Sequence, residues 1–167
     1  MAVTEATLYG LKPIKGASEF LYRAKDTCPD KDNLEHFVKL ELKKHRSIFG
    51  YGRPLLNGDE RVEPMLNFAQ SIGCGDGEFV DLVFKVEDIL MNSRLRYRVN
   101  IAAVCAGLLA DVGMAPMDFY NMMILGFSAG AVPCYIDASK QREGCFFPLR
   151  TSRLNYIGAE KDRHWRV

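Results

Sequence analysis

The sequence predicts an all-α fold, a multi-helix bundle formed as one compact unit over residues 1–167. Three observations carry this expectation. Apolar residues recur at helical spacing in successive segments, glycine or proline steps punctuate those segments, and no stretch of useful length alternates in the two-residue period of a half-buried strand. A length of 167 residues suffices to bury a core without disulfide or metal staples.

Leu8 to Lys15 contains Gly10 and Pro13, so residues 1–15 read as an irregular lead-in. A first helix is expected over Gly16 to Ala24, with Ser18 as its cap. Leu34, Phe37, Val38 and Leu42 then form an apolar stripe opposite Glu35, Lys39, Glu41 and Lys43. Val62, Met65, Leu66, Ala69 and Ile72 repeat the pattern until Gly73-Cys74-Gly75-Asp76-Gly77 ends it. Phe79, Leu82, Val83, Val86, Ile89 and Leu90 make a more apolar stripe, expected to be more buried. Asn100 to Val112 is apolar nearly all round and stops at Gly113. Pro116 suits the first turn of a last helix running towards Ile136, with Asp118 well placed against the helix dipole. A polar loop over Asp137 to Gly144 leads to a basic segment, and 159–167 reads as a tail.

Composition narrows the function classes. Formal net charge is +1, so no global field attracts nucleic acid or an acidic membrane. Five scattered cysteines without C-x-x-C spacing predict a reducing, cytoplasmic setting, and with three histidines they predict no zinc or other metal site. The apolar stretches Val99 to Leu109 and Phe119 to Tyr135 read as buried bundle helices; Asn121 and Pro133 break the longer one, so no membrane span is expected.

The chemistry concentrates in Gly50-Tyr51-Gly52-Arg53, followed by Asp59-Glu60-Arg61. Two glycines permit a tight turn and close approach of a ligand to the backbone. Arg46, Arg53 and Arg61 carry forked donors suited to carboxylate or phosphate. The plainer alternative is a helix end followed by a solvated basic loop.

Taken in order, these pieces resemble the C-terminal part of the citrate synthase family. There a G-x-G-H loop is followed by Asp-Pro-Arg; here Gly50-Tyr51-Gly52-Arg53 precedes Asp59-Glu60-Arg61 with a gap about one residue shorter. The family's Asn-Val-Asp stretch opens a small-residue helix that ends in glycine, resembling Asn100-Ile101-Ala102 and Gly113. Its Arg-x-x-Gly step resembles Phe127-Ser128-Ala129-Gly130, and its closing motif resembles Arg153 with Tyr156-Ile157-Gly158. Gly16-Ala17-Ser18-Glu19 looks like a worn His-Gly-Gly-Ala-x-Glu segment.

What the resemblance implies about chemistry is mostly loss. One family histidine falls on Ile14 or Lys15, and the other on Arg53, which does not exchange protons near neutrality. The catalytic aspartate falls on Ala102, or on Asn100 if the register slips, and the clamp arginine of the Arg-x-x-Gly step on Phe127. Arg61 matches a substrate-binding position; Arg153 is a weaker match with Arg150 close by. Asp118-Phe119-Tyr120 reproduces a catalytic triplet out of register, so Asp118 is a minor candidate base.

The resemblance therefore implies a non-catalytic or accessory subunit with no tightly bound cofactor. It would bind CoA or acyl-CoA through Gly50, Gly52, Arg53, Arg61 and Arg153. It would assemble as a homodimer or as a hetero-oligomer with a catalytic subunit. The alternative is a split enzyme that forms or cleaves a C–C bond in an acyl-CoA, of citrate synthase or citryl-CoA lyase type, completed by another polypeptide. A helical interaction module without ligand is the third possibility.

Overall fold

The computed structural model of the chain describes residues 10–28, 30–53 and 58–142. The Arg150, Arg153 and Tyr156-Ile157-Gly158 positions and the 159–167 tail lie outside them. The described residues form helices α1 (Leu11–Thr27), α2 (Lys31–His45), α3 (Val62–Ser71), α4 (Glu78–Met91), α5 (Ile101–Asp111) and α6 (Pro116–Ser139). Among them there is no strand, only an isolated antiparallel bridge between Tyr51 and Val99. The all-α expectation holds.

The start of α1 corrects the expected lead-in over 1–15: the helix begins at Leu11, not Gly16. Pro13 is its third residue, where a backbone N–H has no intrahelical acceptor to lose. Gly10, with φ of 104°, turns the chain into the helix. Ser18 caps nothing; it lies buried in mid-helix beside Ala17, Phe20, Leu21 and Ala24.

In α2, Asp30 accepts a hydrogen bond from the Asn33 N–H at 2.9 Å, which satisfies a donor of the first turn. Leu34 and Val38 are buried, with Phe37 and Leu42 packed against the same core. The α3 stripe is only partly covered: Ala69 is buried, whereas Ile72 is 61% exposed. The α4 stripe is the deepest, as expected, with Val83, Val86 and Leu90 fully enclosed. α3 and α5 both stop in the same way. Cys74 N–H reaches Ala69 O and Gly73 N–H reaches Gln70 O; Met114 N–H reaches Leu109 O and Gly113 N–H reaches Ala110 O.

α5 is the central element, packed against α1, α4 and α3, while α2 lies on α4 and α1. Its small residues Ala103, Ala106, Gly107 and Ala110 are buried and allow that close packing. Burying side chains such as Phe20, Leu21, Val86 and Phe119 contributes about 1.5–3 kcal/mol each.

Asp111, in the last turn of α5, caps α4 from outside: its carboxylate accepts from Phe79 N–H at 2.7 Å and Val80 N–H at 3.0 Å. A Cβ on Gly77 would stand 2.0 Å from the Asp111 Cγ. Gly77→Ala must therefore displace the carboxylate and strip both donors. We expect a loss of about 1–3 kcal/mol in urea unfolding; an unchanged midpoint would refute the cap.

The chain divides into two compact units, Met1–Phe127 and Ser128–Val167. α6 begins in the first, where Phe119 is buried and Asp118 lies in its first turn. The helix continues through Pro133 to Ser139, in keeping with a last helix running towards Ile136, but Phe119 is its one buried residue, so it is not the buried bundle helix expected. By length and composition it is long and apolar enough to cross a membrane. Cys134, on this helix, is exposed.

Candidate functional site at the glycine loop and the start of α5

The loop after α2 and the first turn of α5, far apart in sequence, are joined by backbone pairing. Gly52 N–H donates to Arg98 O at 2.6 Å, and Asn100 N–H donates to Gly50 O at 2.9 Å. The Asn100 side chain serves both sides of the junction. Its Oδ1 accepts from Ala102 N–H at 2.9 Å and caps α5, while its Nδ2 donates to Gly52 O at 3.0 Å. Tyr51 points inward, edge-on to Phe20, and its hydroxyl donates to Val83 O at 3.0 Å. Burial pushes this phenol well above its usual range, so Tyr51 is a neutral peg for the loop.

Asp59 closes the junction from the other side. Its carboxylate accepts from Arg61 Nε and Nη2, both at 2.8 Å, from Arg61 N–H at 3.2 Å and from Ile101 N–H at 2.9 Å. The hydrogen bonds from Arg61 foremost, and that from the Ile101 N–H, hold its pKa far below the usual carboxylate range. Asp59 is thus a fixed anion at the N-terminus of α5, where the helix dipole favours negative charge. It is too weak a base to remove a proton from carbon.

Arg53 lies at the edge of the same assembly. Its Nη1 pairs with Glu60 and stands 3.5 Å from Asp59 Oδ1. A polar cleft of about 130 Å³ opens beside it, lined among others by Gly52, Arg53, Gly58, Arg96, Tyr97 and Arg98. Arg96 adopts a left-handed backbone with φ of 47°, an uncommon conformation for a residue with a side chain. Three arginines are among the residues that line this small cleft, and guanidinium groups are donors suited to phosphate oxygens.

The structure brings together Gly50, Gly52, Arg53, Arg61, Asn100 and Ala102 of the residues expected from sequence. Arg61 has two of its donors on Asp59, so its geometry is that of a strut. Asp118 sits exposed in the first turn of α6, outside this hydrogen-bonded assembly. Arg153 lies outside the described residues. Sequence reasoning missed Arg96 and Arg98, although the alternation Arg94-Leu95-Arg96-Tyr97-Arg98 was a visible signal. It also missed Asp59 as a clamp. Cys105, on α5, has its thiol pushed up to about 11, chiefly by burial, so it remains protonated and unreactive near neutrality.

A larger groove of about 360 Å³ lies between the end of α1, the start of α2 and α4. Its charges mostly serve the fold: Lys25 pairs with Glu78, Lys85 with Asp81, and Asp30 caps α2.

The solved structure of citryl-CoA lyase from Hydrogenobacter thermophilus is similar to this chain, with a TM-score of 0.67 over 92% of the chain and 17% identity. The chain has a citrate-synthase-like fold. It spans 59% of the lyase chain, and the likeness at this identity is one of fold. No family model matches the chain, and no curated protein sequence does.

Proposed function

We propose that this chain is a non-catalytic, accessory subunit of citrate-synthase-like fold that binds CoA or acyl-CoA at the arginine-lined cleft. It would pair with itself or with a catalytic partner chain. The observation that carries this reading is a polar cleft beside the Gly50–Gly52 turn whose lining includes Arg53, Arg96 and Arg98. At about 130 Å³ the cleft is below the usual 300–1,000 Å³ of a whole-ligand pocket, so it suits a diphosphate portion with the rest of the ligand outside.

The non-catalytic half of the reading rests on the same junction. Arg53 stands where the resemblance asks for a proton-exchanging histidine, and Ala102 where it asks for a carboxylate base. Lacking a general base alone costs about 10²–10⁴-fold in rate. The isolated chain is expected to leave acetyl-CoA and oxaloacetate unreacted in a thiol-release assay.

Thermal denaturation with CoA, acetyl-CoA and citrate tests the binding half. CoA at a hundredfold excess over Kd adds about 2.7 kcal/mol, which raises Tm by roughly 5–10 °C for a chain of this size. The shift should disappear in Arg96→Gln/Arg98→Gln. No shift at millimolar CoA would sink the reading.

A second reading, a split acyl-CoA enzyme completed by another polypeptide, draws on the 59% coverage of the lyase. Co-purification from the native cell separates the two. A partner that supplies a histidine and a carboxylate base and restores thioester turnover would favour the split enzyme.

A further inference from the structure

We propose that Glu60 is a built-in competitor for the anion site, holding the Arg53 guanidinium until a phosphate-bearing ligand takes it over, and so sets the affinity of the cleft. This rests on the reading of the cleft as a CoA phosphate site. Three observations point to it. Arg53, Arg96 and Arg98 all line one small cleft, so the positive charge of Arg53 belongs to a basic lining. Arg53 is turned onto the carboxylate of Glu60, which offsets that charge. The neighbouring carboxylate, Asp59, is already engaged by Arg61 and Ile101 and approaches Arg53 only to 3.5 Å.

The pairing is built to exchange. The Glu60 side chain is 65% exposed, so water and salt screen the ion pair and its net strength is small. In the diphosphate of CoA each phosphoryl group carries one negative charge and two non-bridging acceptor oxygens, so the two together outcompete one carboxylate for a forked donor. When the diphosphate binds, Arg53 exchanges one anion for another and the Glu60 carboxylate returns to water. Glu60 also occupies the place at which the resembling Asp-Pro-Arg motif has proline, so the competitor belongs to this chain's own sequence.

The test is a double-mutant cycle on the full chain, read by calorimetry with CoA and with inorganic pyrophosphate. Glu60→Gln should tighten binding by about two- to fivefold at low salt, the range set by an exposed ion pair. The gain should shrink as salt rises, and it should vanish in an Arg53→Gln background. An equal gain with and without Arg53 would mean general charge repulsion and would overturn the proposal. Wild-type binding of CoA with unchanged affinity in Glu60→Gln would also overturn it, while leaving the CoA reading intact. No binding by any of the four proteins at millimolar ligand would overturn both. A ligand-free readout stands beside these: the Arg53 Nη–H protons, which donate to Glu60, should exchange faster with water in Glu60→Gln, and an unchanged rate would rule the latch out. Glu60→Gln is expected to fold with wild-type circular dichroism, because Glu60 lies on the surface.

Discussion

Replacing Asp59 by alanine is expected to destabilise the chain by about 3 kcal/mol, the sum of a charged hydrogen bond lost and a backbone donor left unpaired. Four donor contacts converge on this carboxylate, and its side chain is fully shielded from solvent. Arg61 is more than half exposed and can return to water, so it contributes little to the penalty. The larger part comes from Ile101, whose N–H opens α5, the central helix of the bundle. Asp59→Asn should cost less, because an amide oxygen can still accept from Ile101 but cannot also take both guanidinium donors. The pH dependence has a definite sign. The folded-state pKa of Asp59 is depressed. Its stabilisation is therefore complete above the unfolded value of about 3.9 and is lost as pH falls through the folded value. The stability gap between wild type and Asp59→Asn, measured by urea unfolding, should narrow as pH is lowered from 5 towards 2. A gap independent of pH over that range would exclude the ionised clamp.

How far all this could be read in the sequence follows from how local each cause is. The stripes at Leu34–Leu42 and Phe79–Leu90 are properties of a few turns, and α2 and α4 formed where those residues predicted. The glycine stops at Gly73 and Gly113 are equally local, since six consecutive residues hold all the hydrogen bonds involved. The start of α1 departs from the expected lead-in because Gly10 and Pro13 are helix breakers only inside a helix, whereas a proline in the first turn has no hydrogen bond to break. Long-range partnerships left no such trace. Asp59 serves a residue 42 positions later, and Asp111 caps a helix that begins 33 positions earlier. In the sequence each is one more acidic residue. The order of motifs around Gly50 and Asn100 made their meeting legible through resemblance, but the cleft was not. Arg96 lines it from a left-handed kink, and although the alternation of arginines from Arg94 to Arg98 is visible in the sequence, nothing local says that it meets the Gly52 turn.

Gly50→Ala is expected to be comparably severe, at about 3 kcal/mol, and to loosen the site as well as the fold. Gly50 has φ of +92°, which costs a side-chain-bearing residue about 1–2 kcal/mol. A Cβ there would also stand 2.6 Å from the Cβ of Ala103, which is fully buried in α5. Overlap of that kind costs about 1–3 kcal/mol in a packed interior. Relief by moving α5 away would stretch the Asn100 N–H to Gly50 O hydrogen bond and withdraw the Asn100 amide from Gly52, so the cleft would lose its shape. The two causes separate experimentally. Ala103→Gly removes the overlapping methyl at a cost of about 1 kcal/mol for glycine in a helix. In the double variant Gly50→Ala/Ala103→Gly the shortest overlap is gone, while a tight 3.1 Å approach to the Cα at position 103 and the backbone strain stay. We expect the double variant to be more stable than the sum of the single effects by about 1–2 kcal/mol, and to regain CoA binding that Gly50→Ala loses. Simple additivity would mean that the loop and α5 do not touch, and the shared position of the Gly50 turn and the first turn of α5 would have to be abandoned.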